Sequence, residues 1–259
     1  MTKTSMYRFL LSLLLICFLQ TAAMSKNTFI SLLSGNTEIM YLLGAQDSLL
    51  AVSTTCYYPK EAKLKKRVGD SYYANLEEII KLKPDYLLSF YTSKPLLAGV
   101  ERTHTKVLYF EYNKINDIYK NITTLGKLTG KDKKALELNN SIRSKIASAK
   151  TSHPKKILYL LQMEPYISIG DSSFITDVIK ASGQNSVTAS LKLYYPSLSP
   201  EFIVNSNPDI IVLGFPGNLK VLKRLCPKAK IVVIDDYMRD VINRPGPRVA
   251  ESVEFFAKL

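Results

Sequence analysis

The chain has 259 residues, 46% of them hydrophobic and 22% charged, so it can bury a core and is neither disordered nor fibrous. Lys and Arg number 35 against 22 acidic residues, a formal net charge of +13. That excess favours acidic partners such as anionic ligands, lipid headgroups or nucleic acid. The two His and three Cys form no CxxC or HxxxH pair, which argues against a zinc site or a thiol redox motif. We therefore expect no metal ligands and no intrinsic cofactor, and any metal arrives already chelated.

The first 23 residues have the pattern of a cleaved secretory leader. Lys3 and Arg8 precede an apolar run at 9–19, and small residues follow at 21–23. The run is shorter than the ~20 residues that span a bilayer, so cleavage is favoured over a membrane anchor. Cys17 leaves lipidation open, although the residues before it are not the small ones that a lipoprotein signal prefers. We expect a periplasmic protein.

After the leader, strand patterns alternate with helix patterns. Buried strands are predicted by apolar runs at 28–33, 49–52, 86–90 and 106–110. A helix is predicted at 36–43, where Gly44 ends it. The alternation restarts with strands at 156–161, 210–213 and 231–234 and a helix at 172–181. Each half therefore predicts a parallel sheet covered by helices.

A sequence repeat links the two halves. The segments 77–85 and 201–209 each begin with Glu, carry Ile two residues later and end in Pro-Asp before an apolar run. Proline ends a helix because it cannot continue the backbone hydrogen-bond ladder. The repeat favours two homologous α/β lobes over a chance match.

The stretch between the halves predicts one long helix. Ala135, Leu138, Ile142 and Ile146 recur at helical spacing between residue 132 and about residue 150, with no internal Gly or Pro. We expect this helix to be stiff, so that the lobes close only modestly on a ligand. The predicted segments are a leader at 1–23, an N-terminal lobe at 24–130, a connecting helix at 131–151 and a C-terminal lobe at 152–259.

The sequence contains no catalytic constellation. The segment 126–132 has too few residues between its glycines for a phosphate loop, and Asp stands where Ser or Thr should follow Lys131. GxSxG and GxGxxG motifs are absent, and His104 and His153 stand apart from any nucleophile pattern. We therefore expect a protein that is not an enzyme.

The number of tyrosines is the compositional feature that says most about a binding site. The chain has 16 Tyr and no Trp. Tyr57-Tyr58, Tyr72-Tyr73, Tyr194-Tyr195 and the single residues Tyr91 and Tyr237 fall in predicted loops beside strands. Loops at the carboxyl ends of parallel strands are where α/β folds bind ligands. Packing under a loop explains any one ring, whereas the grouping indicates a site for a large ring system.

A loop fixed by Pro245-Gly246-Pro247 precedes the C-terminal helix and carries two arginines. Arg244 is placed either to meet an anionic carboxylate or phosphate or to form a surface salt bridge with Asp240. Arg248 is interpreted as structural.

Several motifs together carry a family resemblance: residues 31–38, the Val68-Gly69 turn before Glu77, the Lys-Pro-Asp and Asn-Pro-Asp segments, residues 118–130 and residues 244–248. They resemble the periplasmic binding proteins of ABC importers for vitamin B12, ferric siderophores and haem, over nearly all of the mature chain. The resemblance implies two α/β lobes, each with a central mainly parallel sheet flanked by helices, joined by one long rigid helix. It also implies a monomer.

The resemblance further implies roles for individual residues. In this family a glutamate on each lobe docks onto the permease dimer, and Glu77 and Glu201 hold those places. Haem-binding members use a Tyr in the loop that holds Tyr72 and Tyr73. Cleft contacts of cobalamin-binding members fall on Ser71 or Tyr72, Phe90, Tyr195, Asp240 and Arg244. Several of these places hold Trp in a cobalamin-binding member, and this chain has no Trp, which leaves the ligand open.

The sequence thus predicts an extracytoplasmic receptor that delivers a corrinoid or a ferric-siderophore chelate to an ABC importer, with haem as the alternative ligand. A secreted basic enzyme or a nucleic-acid-binding protein is the alternative from another class. The lysine-rich segments 60–67 and 127–134 lack interleaved aromatics, so solvated surfaces explain them better than nucleic-acid binding. Cys56 and Cys226 fall in different predicted lobes, and we expect free, buried thiols.

Overall fold

The apolar runs of the first half form one parallel sheet. In the computed structural model, which describes residues 27–259, its strands are β1 (Phe29–Ser31), β2 (Leu49–Val52), β3 (Lys66–Arg67), β4 (Tyr86–Phe90) and β5 (Lys106–Phe110). They lie in the order β3-β2-β1-β4-β5, and each neighbouring pair is parallel. The helices of this first lobe are α1 (Ser34–Leu42), α2 (Leu76–Leu82), α3 (Lys94–Glu101) and α4 (Ile115–Leu128). The predicted leader and Cys17 lie outside the described residues.

Helix α5 (Asp132–Ser148) leads to a second sheet. Its strands are β6 (Lys156–Met163), β7 (Tyr166–Ser168), β8 (Asn185–Ser186), β9 (Ser197–Leu198), β10 (Ile210–Leu213) and β11 (Lys230–Val233). They lie in the order β11-β10-β6-β7-β9, with β8 beside β6, and β7 is antiparallel to both neighbours. The helices of this second lobe are α6 (Phe174–Ala181), α7 (Pro200–Ser206), α8 (Leu219–Leu225), α9 (Asp236–Asn243) and α10 (Val249–Ala257).

Two sheets of mostly parallel strands flanked by helices confirm the predicted fold class. The predicted runs 49–52, 86–90, 106–110 and 210–213 coincide with β2, β4, β5 and β10. Strands β7, β8 and β9 have only two or three residues, too few to show a periodic pattern, and are missing from the prediction. The segment boundaries at 130–131 and 151–152 stay predictions.

The repeated Pro-Asp segments join neighbouring strands in the same way in both lobes. The Asp85 carboxylate, just before β4, accepts hydrogen bonds of 2.8 Å from both the backbone N–H and the hydroxyl of Thr28, just before β1. The Asp209 carboxylate, just before β10, accepts one of 2.7 Å from the backbone N–H of Lys156 at the start of β6. Each aspartate thus ties its strand to the central strand of its sheet.

The helices of the repeat also begin and end alike. Asn75 and Ser199 cap the N-termini of α2 and α7 with their side chains. Lys83 and Asn207 end these helices in the left-handed conformation, with φ of 47° and 43°. Because the two segments have the same caps at both ends of their helices, the sequence match between them reflects a shared local structure.

One cluster of buried side chains spans both lobes, beside a separate cluster in each lobe. Helix α5 packs against α4 and α10 and buries Ala135 and Ile142. The buried cluster that contains Ile142 also contains Phe29 of β1, Ile157 of β6 and Phe256 of α10. Because close-packed interiors deform little, this shared core supports a stiff connection between the lobes. In the described part of the chain, no helix is long and apolar enough to cross a membrane.

We expect Asp85→Asn to lower the free energy of unfolding by about 1 kcal/mol at neutral pH, the usual contribution of one hydrogen bond. The Thr28 backbone N–H lowers the pKa of the Asp85 carboxyl. The stability that this carboxylate adds is therefore complete above its unfolded-state pKa and is lost as the pH falls through its folded-state pKa. Urea unfolding should show a difference that vanishes in acid. Equal losses from Asp85→Asn and from Asp47→Asn, at an exposed carboxylate, would contradict this role.

Candidate functional site

A cavity of about 830 Å³ lies between the lobes, at the carboxyl ends of strands from both sheets. Its aromatic lining from the first lobe consists of Tyr72, Phe90, Tyr91, Phe110 and Tyr112. Large side chains from the second lobe face them: Leu161, Phe174, Tyr194, Tyr195 and Phe215. A smaller cavity of about 170 Å³ shares Tyr72, Phe90 and Tyr112 with the first. The two cavities together are called the cleft below.

Chain topology explains why these rings meet. Phe90 is the last residue of β4, Phe110 is the last residue of β5, and Phe215 follows β10 closely. In a parallel sheet the carboxyl ends of the strands lie along one edge, where open α/β sheets bind ligands. The two sheets turn these edges toward the same cavity.

The rings are held in place by contacts beneath and across the cleft. The buried Tyr112 hydroxyl donates to the Asn36 side-chain carbonyl, and the Tyr112 ring lies edge-on to Phe90 with centroids 6.3 Å apart. Across the cleft, the Tyr194 hydroxyl donates to the Asn113 side-chain carbonyl at 2.5 Å. Burial raises the pKa of Tyr112, so its hydroxyl stays protonated at neutral pH. The walls of the cleft are therefore preformed.

Several of the predicted ligand-binding residues meet in this cleft. Tyr72, Phe90 and Tyr195 line the larger cavity, and Ser71 lines the smaller one. Tyr72 and Tyr195 are exposed by 74% and 61%, so their rings are open to a ligand. Tyr73 lines neither cavity and is 83% exposed. Their contact with a ligand stays a prediction.

Asp240 and Arg244 line neither cavity. Arg244 Nη1 donates to Asp240 Oδ1 at 2.8 Å, and Nη2 donates to the Thr55 carbonyl at 2.5 Å. The guanidinium lies 4.0 Å from the centre of the Tyr57 ring, and the Arg244 side chain is 15% exposed. The salt bridge with Asp240, one of the two interpretations of the sequence, is thus present at the end of α9. The hydrogen bond to Thr55 joins this end of α9 to a loop of the first lobe.

A buried ion pair lies beside this one. Arg248 donates from Nε and Nη2 to the two Glu38 carboxylate oxygens at 2.9 Å each, and Nη2 also reaches Asp240 at 3.0 Å. The Glu38 and Arg248 side chains are 4% and 9% exposed. Burial raises the pKa of Glu38, and the Arg248 guanidinium opposes that rise. We call Glu38, Asp240, Arg244 and Arg248 the interlobe network, and it agrees with the interpretation of Arg248 as structural.

The lobes also touch directly beside the interlobe network. A Cβ added at Gly35 would lie 2.4 Å from the Pro245 carbonyl oxygen, so no other residue fits there without a shift of the backbone. The first turn of α1 therefore rests on the 244–248 loop of the second lobe.

Sequence reasoning missed the cleft residues Phe110, Glu111, Tyr112, Asn113 and Phe215. The first four end or directly follow β5, a strand whose bounds were predicted correctly. The rule that ligands bind at the carboxyl ends of parallel strands could have found them.

A further void of about 910 Å³ shares no lining residue with the cleft. It runs along α5 and α10, and its charged lining includes Glu38, Lys145, Arg248, Glu251 and Glu254. It lies along helices rather than at the carboxyl ends of strands, and its aromatic lining is Tyr41 and Tyr58, both of the first lobe. We therefore take the cleft as the candidate site.

The described residues offer little to bind a bare metal ion. Within residues 27–259, no group of three or more His, Cys, Asp and Glu side chains could hold one. Cys56 and Cys226 are both buried and free.

The two predicted docking residues occupy equivalent places outside the cleft. Glu77 and Glu201 lie in the first turns of α2 and α7, one on each lobe, and both are exposed. The backbone N–H of Glu201 itself and the Ser199 hydroxyl lower the pKa of the Glu201 carboxyl, so it is ionised at neutral pH.

Comparison with known proteins identifies the family to which this architecture belongs. A family model described as periplasmic binding protein matches residues 30–225. The chain belongs to the periplasmic binding protein family. The family predicted from the motifs is thus confirmed, together with its general function of solute binding for an ABC importer.

Two relatives match most of the chain. An uncharacterized ABC transporter substrate-binding lipoprotein of Bacillus subtilis is 29% identical over 247 residues, which cover 88% of this chain and 78% of the relative. A vitamin B12-binding protein of Vibrio vulnificus is 29% identical over 262 residues, which cover 96% and 95%.

Solved structures have the same fold. A possible iron-binding periplasmic protein of Staphylococcus epidermidis superposes with a TM-score of 0.77 at 27% identity, covering 90% of this chain and 98% of that one. A periplasmic haem-binding protein of Vibrio cholerae superposes with a TM-score of 0.75 over 90% and 98% of the chains, at 19% identity, a likeness that concerns the fold alone.

We expect Arg248→Met to lower the free energy of unfolding by about 3 kcal/mol or more, because it leaves the Glu38 carboxylate buried without its partner. Lys258→Met is the matched control, since it breaks an ion pair with Glu254 in which both side chains are more than half exposed. Exposed pairs contribute little to stability. Urea unfolding of both variants measures the two losses, and similar losses would contradict a structural role for the interlobe network.

Proposed function

We propose that the protein is an exported receptor that binds a corrinoid or a similar large chelate in the cleft and delivers it to an ABC importer. The observation that carries the proposal is the pair of opposed aromatic walls, one from each lobe, around a preformed cavity. Aromatic faces supply the contact area that a large ring needs, and their edges supply hydroxyl groups.

Polar groups in the cleft suit a ligand with amide edges. Asn113, Asn243, Thr92 and Ser173 line the larger cavity among the rings. Side-chain amides and hydroxyls both donate and accept hydrogen bonds, as the peripheral amides of a corrinoid do. The vitamin B12-binding relative supports this ligand, whereas the iron-binding and haem-binding neighbours keep ferric siderophores and haem as alternatives.

The rest of the proposal concerns where and how the receptor acts. It crosses the membrane by means of the leader at 1–23, and its lobes at 24–130 and 152–259 are connected by the helix at 131–151. The lipoprotein among its relatives keeps lipidation at Cys17 as the alternative to cleavage near residue 23. The receptor works as a monomer, without enzymatic activity and without an intrinsic cofactor, and nucleic acid is not its partner.

Tyr195→Ala should weaken binding of cyanocobalamin about tenfold, because it removes one aromatic wall of the cleft. Tyr237→Ala is the control, since Tyr237 is 50% exposed and lines neither cavity. Equilibrium dialysis measures both affinities through the absorbance of the corrinoid. Equal losses from the two variants would contradict binding in the cleft.

The same dialysis distinguishes the ligands. If haem binds and cyanocobalamin does not, Tyr72→Phe becomes the informative variant, since it keeps the ring and removes the hydroxyl that could reach the iron. Failure of cyanocobalamin, haem and ferric siderophores alike would overturn the proposed function.

We propose that Glu77 and Glu201 dock the two lobes onto the two permease subunits. Both carboxylates are exposed, and the repeat places them at equivalent helix starts. Carboxylates at helix N-termini are also favourable locally, which is the structural alternative.

The variant with both Glu77→Ala and Glu201→Ala should lose uptake of the chelate while its affinity for the chelate stays unchanged. Uptake in cells and dialysis of the purified protein measure the two effects separately. Glu137→Ala, at an exposed carboxylate on α5, is the control. Normal uptake by the double variant would contradict docking, and a loss of affinity would place these residues in the binding site.

A further inference from the structure

The cleft has a charge opposite to that of the whole protein. The chain carries a formal net charge of +13. Among the described residues, the ionisable acids and bases that line the two cavities are Glu111 in the larger one and Asp70 in the smaller one. Both are carboxylates, so a ligand in the cleft meets negative charge.

The arginines beside the cleft are neutralised by partners. Arg244 is paired with Asp240 at 2.8 Å, and Arg248 is paired with Glu38 at 2.9 Å. The interlobe network therefore contains two guanidinium groups and two carboxylates and is formally neutral. With side chains only 15% and 9% exposed, these arginines present little positive charge to a ligand.

Cations near the rim are also engaged. Lys114 Nζ donates to the Asp171 carbonyl at 3.0 Å. Arg239 forms an ion pair with Asp236 and lies 5.4 Å from the centre of the Phe215 ring. Neither side chain lines the cleft. Lys114 belongs to the first lobe and Arg239 to the second, and both positive charges are held outside the two cavities.

From these contacts, and resting on the proposed function, we infer that the cleft selects chelates by charge, with Glu111 as the specificity determinant. It accepts neutral or cationic chelates, such as a corrinoid or a cationic ferric hydroxamate, and discriminates against polyanionic ones, such as a ferric tricatecholate. Glu111 is an exposed residue at the wall of the cleft, and its carboxylate repels anions and attracts cations that enter there. The same carboxylate accepts hydrogen bonds from peripheral amide groups.

The test is a set of titrations of the full-length secreted protein with three probes. They are neutral cyanocobalamin, the cationic hydroxamate chelate ferrioxamine B and the trianionic tricatecholate chelate ferric enterobactin. We expect the tricatecholate to bind at least about tenfold more weakly than the hydroxamate chelate, and the gap to narrow at high salt as charges are screened.

Variants separate the charge of Glu111 from the shape of the probes. Glu111→Lys should change the ratio of the hydroxamate and tricatecholate affinities by at least about tenfold in favour of the tricatecholate, and Glu111→Gln should change it by less. Glu137→Lys makes the same change in net charge on α5, outside the cleft, and should leave the ratio unchanged. Circular dichroism of each variant verifies that it is folded.

The outcomes distinguish this inference from the proposed function. Tighter binding of the tricatecholate than of the hydroxamate chelate by the wild type, or a ratio that neither Glu111 variant moves, overturns charge selection and leaves the receptor function standing. Equal shifts from Glu111→Lys and Glu137→Lys assign the effect to net charge and overturn the role of Glu111. Binding of none of the three probes overturns the inference, and it overturns the proposed function too only if haem also fails to bind.

Discussion

The bidentate contact between Arg248 and Glu38 is the constraint on which the cleft depends. It joins α1 of the first lobe to the start of α10 in the second, beside the point where Gly35 meets the backbone of Pro245. A buried ion pair stays charged only while both partners are present, because neither charge is solvated. The pair therefore fixes one lobe against the other. The aromatic walls are therefore already separated by the width of the cavity before a ligand binds. Less conformational entropy is then lost on binding.

The interlobe network also affects the charge that a ligand meets in the cleft. Arg244 and Arg248 are among the 35 basic residues that give the chain its excess of positive charge, yet their carboxylate partners neutralise them. The local potential of a cleft follows from the groups that line it, here Glu111 and Asp70. Net charge is thus a poor guide to the ligand of this protein. The two arginines hold the lobes together. In our proposal, aromatic rings, amides and carboxylates recognise the ligand.

The sequence is informative wherever a local pattern determines the structure. Buried parallel strands such as β2 and β10 are continuous apolar runs, and the repeated Pro-Asp segments identify both central strand pairs. The Asp240 partner of Arg244 was among the interpretations of the sequence, since it lies only four residues earlier. The Thr55 partner could not be predicted, because it belongs to the other lobe and no local pattern encodes how the lobes pack. Composition favours an anionic partner, but a count of charges does not say which charges are paired, so it does not predict the charge of the cleft. Glu111 could have been predicted to lie at the site, because it directly follows β5. The tyrosine pairs indicated other loops instead.

A crystal structure of the protein with cyanocobalamin bound tests most directly whether the ligand lies in the cleft. We expect the corrin ring to lie between Phe90 and Tyr195. Arg244 should still be paired with Asp240, and Arg248 should still be paired with Glu38. A corrin ring in the void along α5 and α10, or Arg244 released from Asp240 to contact the ligand, would contradict this expectation.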